Sequence, residues 1–498
     1  MSVLAIDAGT TGVTALVVAA DGTVPGRGYQ EFQQYFPEPG WVEHLPDGIW
    51  QATLAACGQA LESAGQPAVS CVGITNQRET AVVWDRATLT APRRAIVWQD
   101  RRTAADCERL RERGLEDRVA ALTGLRLDPY FTATKLSWLA AHDPGTWAGI
   151  ADGSLAAGTV DSYLIARLTG GHRHVTDASN ASRTLLFDIE AGQWSAELCE
   201  LFGVPPHALP EVVPSTGVTG HTDPGAFLGL SLPVAGIAGD QQAALFGQAC
   251  FTPGSVKCTY GTGSFVLSST GTAIVRSRAG LLSTVAWMDS AGTLTYALEG
   301  PVFVTGAAIQ WLRDGLGILD DAAQSETLAR SVPDAAGVVF VPALTGLGAP
   351  HWDPAARGAI FGLTRGTTRA HLARAALEAI AFEVRDVADV IAAESPAAPA
   401  AGPPPALRVD GGASANNLLM QLQADQLQRP VERPVVAETT ALGAAFLAGL
   451  AVGEWSSPDE LAATWRLDRR FSPGPRDDDG YQRWRDAISR GKNWAATR

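Results

Sequence analysis

Two spacings of apolar residues alternate along the chain. Short apolar runs at 3–6, 14–19, 71–75 and 81–84 predict strands, and recurrence every three to four positions over 48–64, 103–113 and 133–141 predicts helices. The second half repeats the layout, with strands expected at 256–260, 264–268, 338–342 and 406–409 and helices at 371–392 and 415–427. In each half the first two strands are joined by a turn of small residues, threonine and glycine: Asp7-Ala8-Gly9-Thr10-Thr11-Gly12 in one and Gly261-Thr262-Gly263 in the other. Such a recurrence predicts two α/β domains of related design with a cleft between them. The boundary is placed near 247, after a helix expected to start at Gln241, giving domains 1–247 and 248–498. The proline-alanine segment 392–406 is expected to be an exposed loop, because its prolines remove donors and fix φ, and the stretch 471–480 is expected to be irregular.

Composition narrows the function. The 498 residues are 46% hydrophobic and 18% charged, enough to bury a substantial core. A formal net charge of −14 with no basic run argues against nucleic acid, whose binding rests on Lys and Arg against phosphate. The six cysteines have neither CxxC nor zinc spacing and read as reduced, buried thiols, which points to a cytoplasmic setting. No secretory leader is visible at the N-terminus. The small-apolar stretch 441–453 is too short to span a bilayer, so no membrane insertion is expected.

Several strand ends carry more polar residues than a turn needs. Gly9 and Gly12 allow close backbone approach, and Thr10 and Thr11 add hydroxyls. Asp7 can face a phosphate only through a cation or its waters. An ordinary tight turn explains the same residues, but a second such loop at 261–263 would let two domains grip one polyphosphate. Asp240 follows the run Val234-Ala235-Gly236-Ile237-Ala238-Gly239 and has two readings: helix N-cap, or a carboxylate at a strand's C-terminal end where open α/β sheets bind ligands. Asn76-Gln77-Arg78-Glu79-Thr80 offers donors and acceptors side by side, as a polyhydroxylated ligand requires, though a surface turn would also fit. Trp98 and Asp128-Pro129-Tyr130-Phe131 supply aromatic faces for a pocket or for core packing. Gly411-Gly412 and Asn416 open a helix, where a flat base can lie on backbone. His351 reads as a loop residue, and the histidines form no metal constellation.

Taken in order, the segments PGWVEH (39–44), GITNQRET (73–80), AIVWQDRRT (95–103), DPYF (128–131), GTVDSYLI (158–165), NASRTLLF (180–187), GIAGDQQAALFGQ (236–248), TYGTGSF (259–265), ALEG (297–300), IQWLRD (309–314), PALTGLGAPHWDPAARGAIFGLTRG (342–366), RVDGGASANNLLMQ (408–421) and ALGAAFLAGLAVG (441–453) resemble the FGGY carbohydrate kinases over nearly the whole chain. Within that family they are most similar to the branch acting on glycerol. The resemblance implies two actin-like (ribonuclease H-like) ATPase domains flanking a cleft. It implies ATP-dependent phosphorylation of glycerol to sn-glycerol 3-phosphate, with Mg²⁺, feeding glycerol catabolism and glycerolipid synthesis. By motif position, Arg78, Glu79, Tyr130, Asp240 and Gln241 would hydrogen-bond glycerol, and Trp98 and Phe265 would pack on its carbon edge. Asp240 would be the base, and Asp7 with Asp240 would hold the metal. Thr10, Thr11, Gly12, Thr262, Gly306, Gln310, Gly412 and Asn416 would contact the nucleotide. A homodimer or homotetramer is compatible with the resemblance.

The chain departs from the family pattern in two places. The first loop continues Gly12-Val13-Thr14 where the family commonly has an arginine. The region 221–229 has no basic residue except His221, so inhibition by fructose 1,6-bisphosphate is not expected. A kinase for another polyol or sugar (xylulose, gluconate, erythritol) is the nearest alternative. An actin-like ATP-binding switch is the more distant one, and it leaves NQRET and DPYF without a purpose.

Overall fold

The computed structural model describes residues 1–395 and 404–497. Two sheets of matching connectivity organise the chain. The first contains β1 (Ser2–Ala8), β2 (Gly12–Ala19), β3 (Gly26–Glu31), β4 (Val69–Asn76), β5 (Thr216–His221) and β6 (Pro233–Gly239), in the spatial order β5-β6-β4-β1-β2-β3. The second contains β7 (Val256–Tyr260), β8 (Ser264–Gly271), β9 (Leu282–Met288), β10 (Leu294–Val302), β11 (Leu407–Asp410), β12 (Val431–Pro434) and β13 (Leu467–Phe471), in the order β9-β10-β8-β7-β11-β12-β13. In each sheet an antiparallel meander leads into parallel strands, β1 beside β4 and β7 beside β11. The repeat visible in the two turns is therefore a repeat of topology, with β9 added at the edge of the second sheet.

Register explains why the polar strand ends meet. Along β1, β4 and β6 the parallel pairs are Ala8↔Asn76 and Asn76↔Gly239, so three C-terminal ends lie side by side. In the other sheet Thr259 pairs with Asp410, which places the 261–263 turn beside Gly411. Long buried runs such as Val3-Leu4-Ala5-Ile6 on β1 are covered on both faces, as parallel strands require.

Helix Pro46–Ser63 covers one face of the first sheet. The other face takes helix Thr439–Val452, which comes from the second half of the chain. This is the small-apolar stretch 441–453, and it is a buried helix locking the halves together. Its approach is too close for side chains: a Cβ on Gly443 would overlap the carbonyl oxygen of Ala243, and one on Gly73 would overlap that of Ala444. Helix Asp240–Gly247, which carries the candidate base, is thereby pressed against Thr439–Val452.

Most predicted elements appear with ends moved by a few residues. The helix expected to begin at Gln241 begins at Asp240, with Gly239 as its N-cap. Helix Arg369–Glu394 runs two residues further than predicted, into the segment read as a loop, and 396–403 of that segment lie outside the described residues. The stretch 471–480 is only partly irregular: Phe471 ends β13 and helix Asp478–Gly491 follows. The six cysteines are buried and unpaired. Among the described residues, no helix is long and apolar enough to cross a membrane.

Candidate active site

Arg78, just past the end of β4, organises the site. Its guanidinium donates to both oxygens of Glu299 (2.6 and 2.9 Å), to Gln242 Oε1 (3.1 Å) and to the Tyr130 hydroxyl (3.3 Å), while its Nε lies 3.2 Å from Asp240 Oδ1. Arg183 donates to Glu79 Oε1 (2.7 Å) and to Glu299 Oε1 (3.0 Å). All of these side chains except Asp240 are essentially sealed from solvent, and Asp240 is 28% exposed. Asp240 is the first residue of its helix and Gly239 is the N-cap. Its carboxylate accepts only the N–H of Gln241 from its own helix and turns toward Arg78. Glu79 sits at φ 60°, a left-handed conformation that glutamate rarely adopts. Such strain, on the order of 1 kcal/mol, persists only where the surroundings over-determine it. Here Arg183 and Arg78 hold the carboxylate and Thr132 Oγ1 donates to the Glu79 carbonyl.

The charges differ in what the environment does to them. Burial alone would raise Glu299, but the guanidinium groups of Arg183 and Arg78 outweigh it and hold the carboxyl at about 2. For Glu79 and Asp240 burial wins over their arginine neighbours, and both are raised. Asp7 is pushed up to about 7, by burial first and by the neighbouring Asp240 charge second. Asp7 and Asp240 thus lie close enough for each carboxylate to oppose the other's negative charge.

An aromatic wall flanks this network. The Trp98 ring meets Tyr130 edge-on at 5.5 Å and Phe265 at 6.4 Å, and the Arg78 guanidinium lies over Phe265 at 5.9 Å. Phe265 belongs to β8, so the wall draws on both halves. The Trp98 indole N–H donates to Thr10 Oγ1 (2.9 Å), which ties the wall to the first turn. Behind that turn Gln77 Nε2 donates to the Gly9 carbonyl (3.0 Å) and lies 3.2 Å from His44 Nδ1. Thr11 is exposed at the tip, and Gly12 begins β2, its carbonyl accepting the Gly9 N–H (3.0 Å) to close the turn.

The second turn is docked on a helix start. Carbonyls of Gly261 and Thr262 accept the N–H groups of Gly306 (3.0 Å) and of Thr305 and Ala307 (2.8 and 3.0 Å). Gln310 is exposed at the end of the same short helix. Gly411, at φ 83°, lets β11 turn beside Tyr260, where a Cβ would stand 2.6 Å from the Tyr260 carbonyl oxygen. Gly412 has open space around it. Asn416 is the N-cap of helix Asn417–Leu427, accepting from the Leu419 N–H (3.0 Å). The structure thus places Gly306 against the Gly261–Gly263 turn, Gly411-Gly412 beside the end of β7 and Gln310 further along the helix, and it gives Asn416 a capping duty.

Four side chains at the site went unassigned by sequence reasoning: Arg183, Gln242, Lys257 and Glu299. Arg183 and Glu299 lie inside segments that carried the resemblance, and a charge embedded in an apolar strand (Leu298-Glu299-Gly300) is itself a signal of a buried partner. His351, read as a loop residue, pairs with Asp386 at 2.8 Å and joins its loop to helix Arg369–Glu394.

Residues 2–247 match the N-terminal domain of the FGGY family of carbohydrate kinases, and residues 256–452 match its C-terminal domain. The glycerol kinases of Aromatoleum aromaticum and Trichlorobacter lovleyi are each 55% identical to this chain, with 99% of both sequences covered. The crystal structure of Plasmodium falciparum glycerol kinase with ADP superimposes with a TM-score of 0.88 at 33% identity, covering 98% of each chain. A xylulose kinase from Rhodospirillum rubrum gives 0.83 at 26% identity, again over 98% of each chain. With both halves matched in order, and relatives aligned from end to end, this chain belongs to the FGGY family of carbohydrate kinases.

Proposed function

We propose that the chain transfers the γ-phosphoryl group of ATP to a terminal hydroxyl of glycerol, giving sn-glycerol 3-phosphate and ADP. The carrying observation is the set of buried Arg78, Glu79, Tyr130 and Gln241 with the partly exposed Asp240 at the joined strand ends, in a chain aligned end to end with glycerol kinases. Three hydroxyls on three carbons need several fixed donors and acceptors beside an apolar edge. Charged partners give the stronger hydrogen bonds, roughly 1.5–3 kcal/mol each, and Arg78 and Glu79 provide them. Trp98 and Phe265 supply the apolar edge.

Phosphoryl transfer requires alignment and charge stabilisation more than covalent chemistry. The acceptor oxygen forms a bond to the γ-phosphorus as the bond from that phosphorus to the β–γ bridging oxygen breaks, and ADP leaves. Asp240 orients the hydroxyl and receives its proton, a role favoured by the rise that burial imposes on its carboxyl. The turns at Gly9–Gly12 and Gly261–Gly263 present N–H groups and hydroxyls to the phosphates. Asp7 and Asp240 would hold Mg²⁺, which when bound neutralises charge on the β- and γ-phosphates. The two carboxylates oppose each other's charge, and a divalent ion would relieve that. Thr10, Thr11, Gly12, Thr262, Gly306, Gln310, Gly412 and Asn416 form the nucleotide side in this reading. The unpaired cysteines fit a reducing compartment, and the proposal includes a cytoplasmic location.

The test is purified protein with ATP and Mg²⁺, with and without glycerol, and identification of the product. Glycerol-dependent ADP release with sn-glycerol 3-phosphate formed is the expected result. ATP turnover indifferent to glycerol, or preference for a larger polyol, defeats the proposal.

A further inference from the structure

Lys257 is a fully buried lysine that none of the roles above uses. It lies on β7, in the second half of the chain, and reaches across to the helix that starts at Asp240. Its Nζ donates to Gln241 Oε1 at 2.6 Å and to Thr259 Oγ1 at 2.8 Å. An ammonium has donors and no acceptor, so the Gln241 atom facing it is the carbonyl oxygen, and the amide NH₂ is the face left over. Among the described residues no acceptor meets Gln241 Nε2, although the side chain is nearly buried.

We propose that Lys257 is a positioning residue for the acceptor pocket: by pinning the Gln241 oxygen it locks that amide as a hydrogen-bond donor toward a substrate hydroxyl. The inference rests on the glycerol reading of the site and adds a sense of direction to it. A hydroxyl that accepts from Gln241 keeps its own proton free for a carboxylate, and Asp240, next in sequence, is the carboxylate at hand. Without Lys257 the amide can rotate and offer its oxygen, which competes for the proton that Asp240 must take. Keeping an ammonium here is costly, because burial pulls Lys257 below the ordinary lysine range against the opposing pull of Asp410, Cys258, Asp240 and Glu299. An apolar side chain of that length would avoid the cost, so its presence calls for a task. Because Lys257 and Gln241 come from different halves, the pocket has its donor set only when both halves are in this arrangement.

Five variants test it by steady-state kinetics: Lys257→Met, Lys257→Arg, Gln241→Ala, Gln241→Glu and the Lys257→Met/Gln241→Ala double. Losing one neutral hydrogen bond of about 1 kcal/mol predicts that Lys257→Met and Gln241→Ala each raise KM for glycerol by about fivefold to tenfold, with KM for ATP within about twofold. The double variant is expected to be no worse than either single, and Lys257→Arg to recover most of the loss. Gln241→Glu keeps the oxygen for Lys257 and removes the donors, so it is expected to match Gln241→Ala even if Lys257→Met does not fold. Multiplying effects in the double variant, an unchanged glycerol KM in Lys257→Met, or near-normal kinetics in Gln241→Glu would overturn the inference. Wild-type protein that does not phosphorylate glycerol overturns the function reading and this inference together. An active wild type with those variant results overturns the inference alone.

Discussion

Glu299→Gln removes a fully buried carboxylate that accepts from both Arg78 and Arg183. In the wild type that carboxyl is held at about 2 against an ordinary 4.5, because Arg183 and Arg78 more than offset its burial. A difference of about 2.5 units corresponds to about 3 kcal/mol of folding free energy. Removing one member of a buried ion pair costs about 3–5 kcal/mol by a separate line of measurement, so the two figures agree. Glu299 is fully buried, so solvent screening does not reduce them. The sign follows from linkage. A carboxyl whose folded pKa is depressed contributes its full stability above the unfolded value, and loses it as pH falls through the folded one. Wild type and Glu299→Gln should therefore differ by about 3 kcal/mol at pH 7, and the gap should narrow once pH drops below about 4.5. Urea unfolding followed by tryptophan fluorescence at several pH values reads this directly. The same variant frees Arg78 from its two-point anchor, so KM for glycerol should rise about tenfold or more. A stability difference under about 1 kcal/mol at pH 7, or one that does not change between pH 7 and pH 3.5, would show that the buried network is not held as described.

Three further predictions concern the base, the joint between the halves, and a buried histidine. Asp240→Asn should lower kcat by about 10²-fold or more while glycerol binding stays within a few-fold, and an unchanged kcat removes Asp240 from the base role. Gly443→Ala puts a methyl group into the Ala243 carbonyl, costing about 1–3 kcal/mol or more and displacing the helix that carries Asp240, so Tm and kcat should fall together. If kcat survives while Tm drops, the packing of Thr439–Val452 does not govern the position of Asp240. His44, buried with an unpartnered Nε2, has its pKa lowered from 6.5 to about 4 by burial. The unfolded chain takes up that proton first, so stability falls with pH in the window between those values, by about 2 kcal/mol from pH 7 to pH 5. His44→Gln should show a correspondingly flatter pH dependence of urea stability over that range, and parallel curves for the two proteins would contradict it.

Local pattern was enough to reveal the strand–turn–strand that opens each half, because alternation and continuous apolar runs are set within a few residues. It also singled out Arg78, Glu79 and Asp240 as candidates, since polar clusters at strand ends stand out against apolar neighbours, but it left a turn or helix-cap role equally open. The long helix near 371–392 and the strand at 256–260 were legible for the same reason. Edge strands such as Thr216–His221 and Leu467–Phe471 were not, because the first is half-buried, the second mostly exposed, and both carry little apolar periodicity. Nor could the sequence pair Arg183 and Arg78 with Glu299, which lies more than a hundred positions away from either.

Residue order by itself determined the two-fold repeat, the polar tips of its strands and, through the accumulated motifs, the family. Tertiary structure alone decided which tips face one another. Parallel register aligned Ala8, Asn76 and Gly239 along one edge, glycine-tight packing of Thr439–Val452 held that edge against the second half, and Glu299 and Lys257 crossed over to complete the charge balance. The physical reason is that a buried charge is tolerable only beside its partner. The partner's position depends on how two distant sheets dock, and no short-range pattern encodes that.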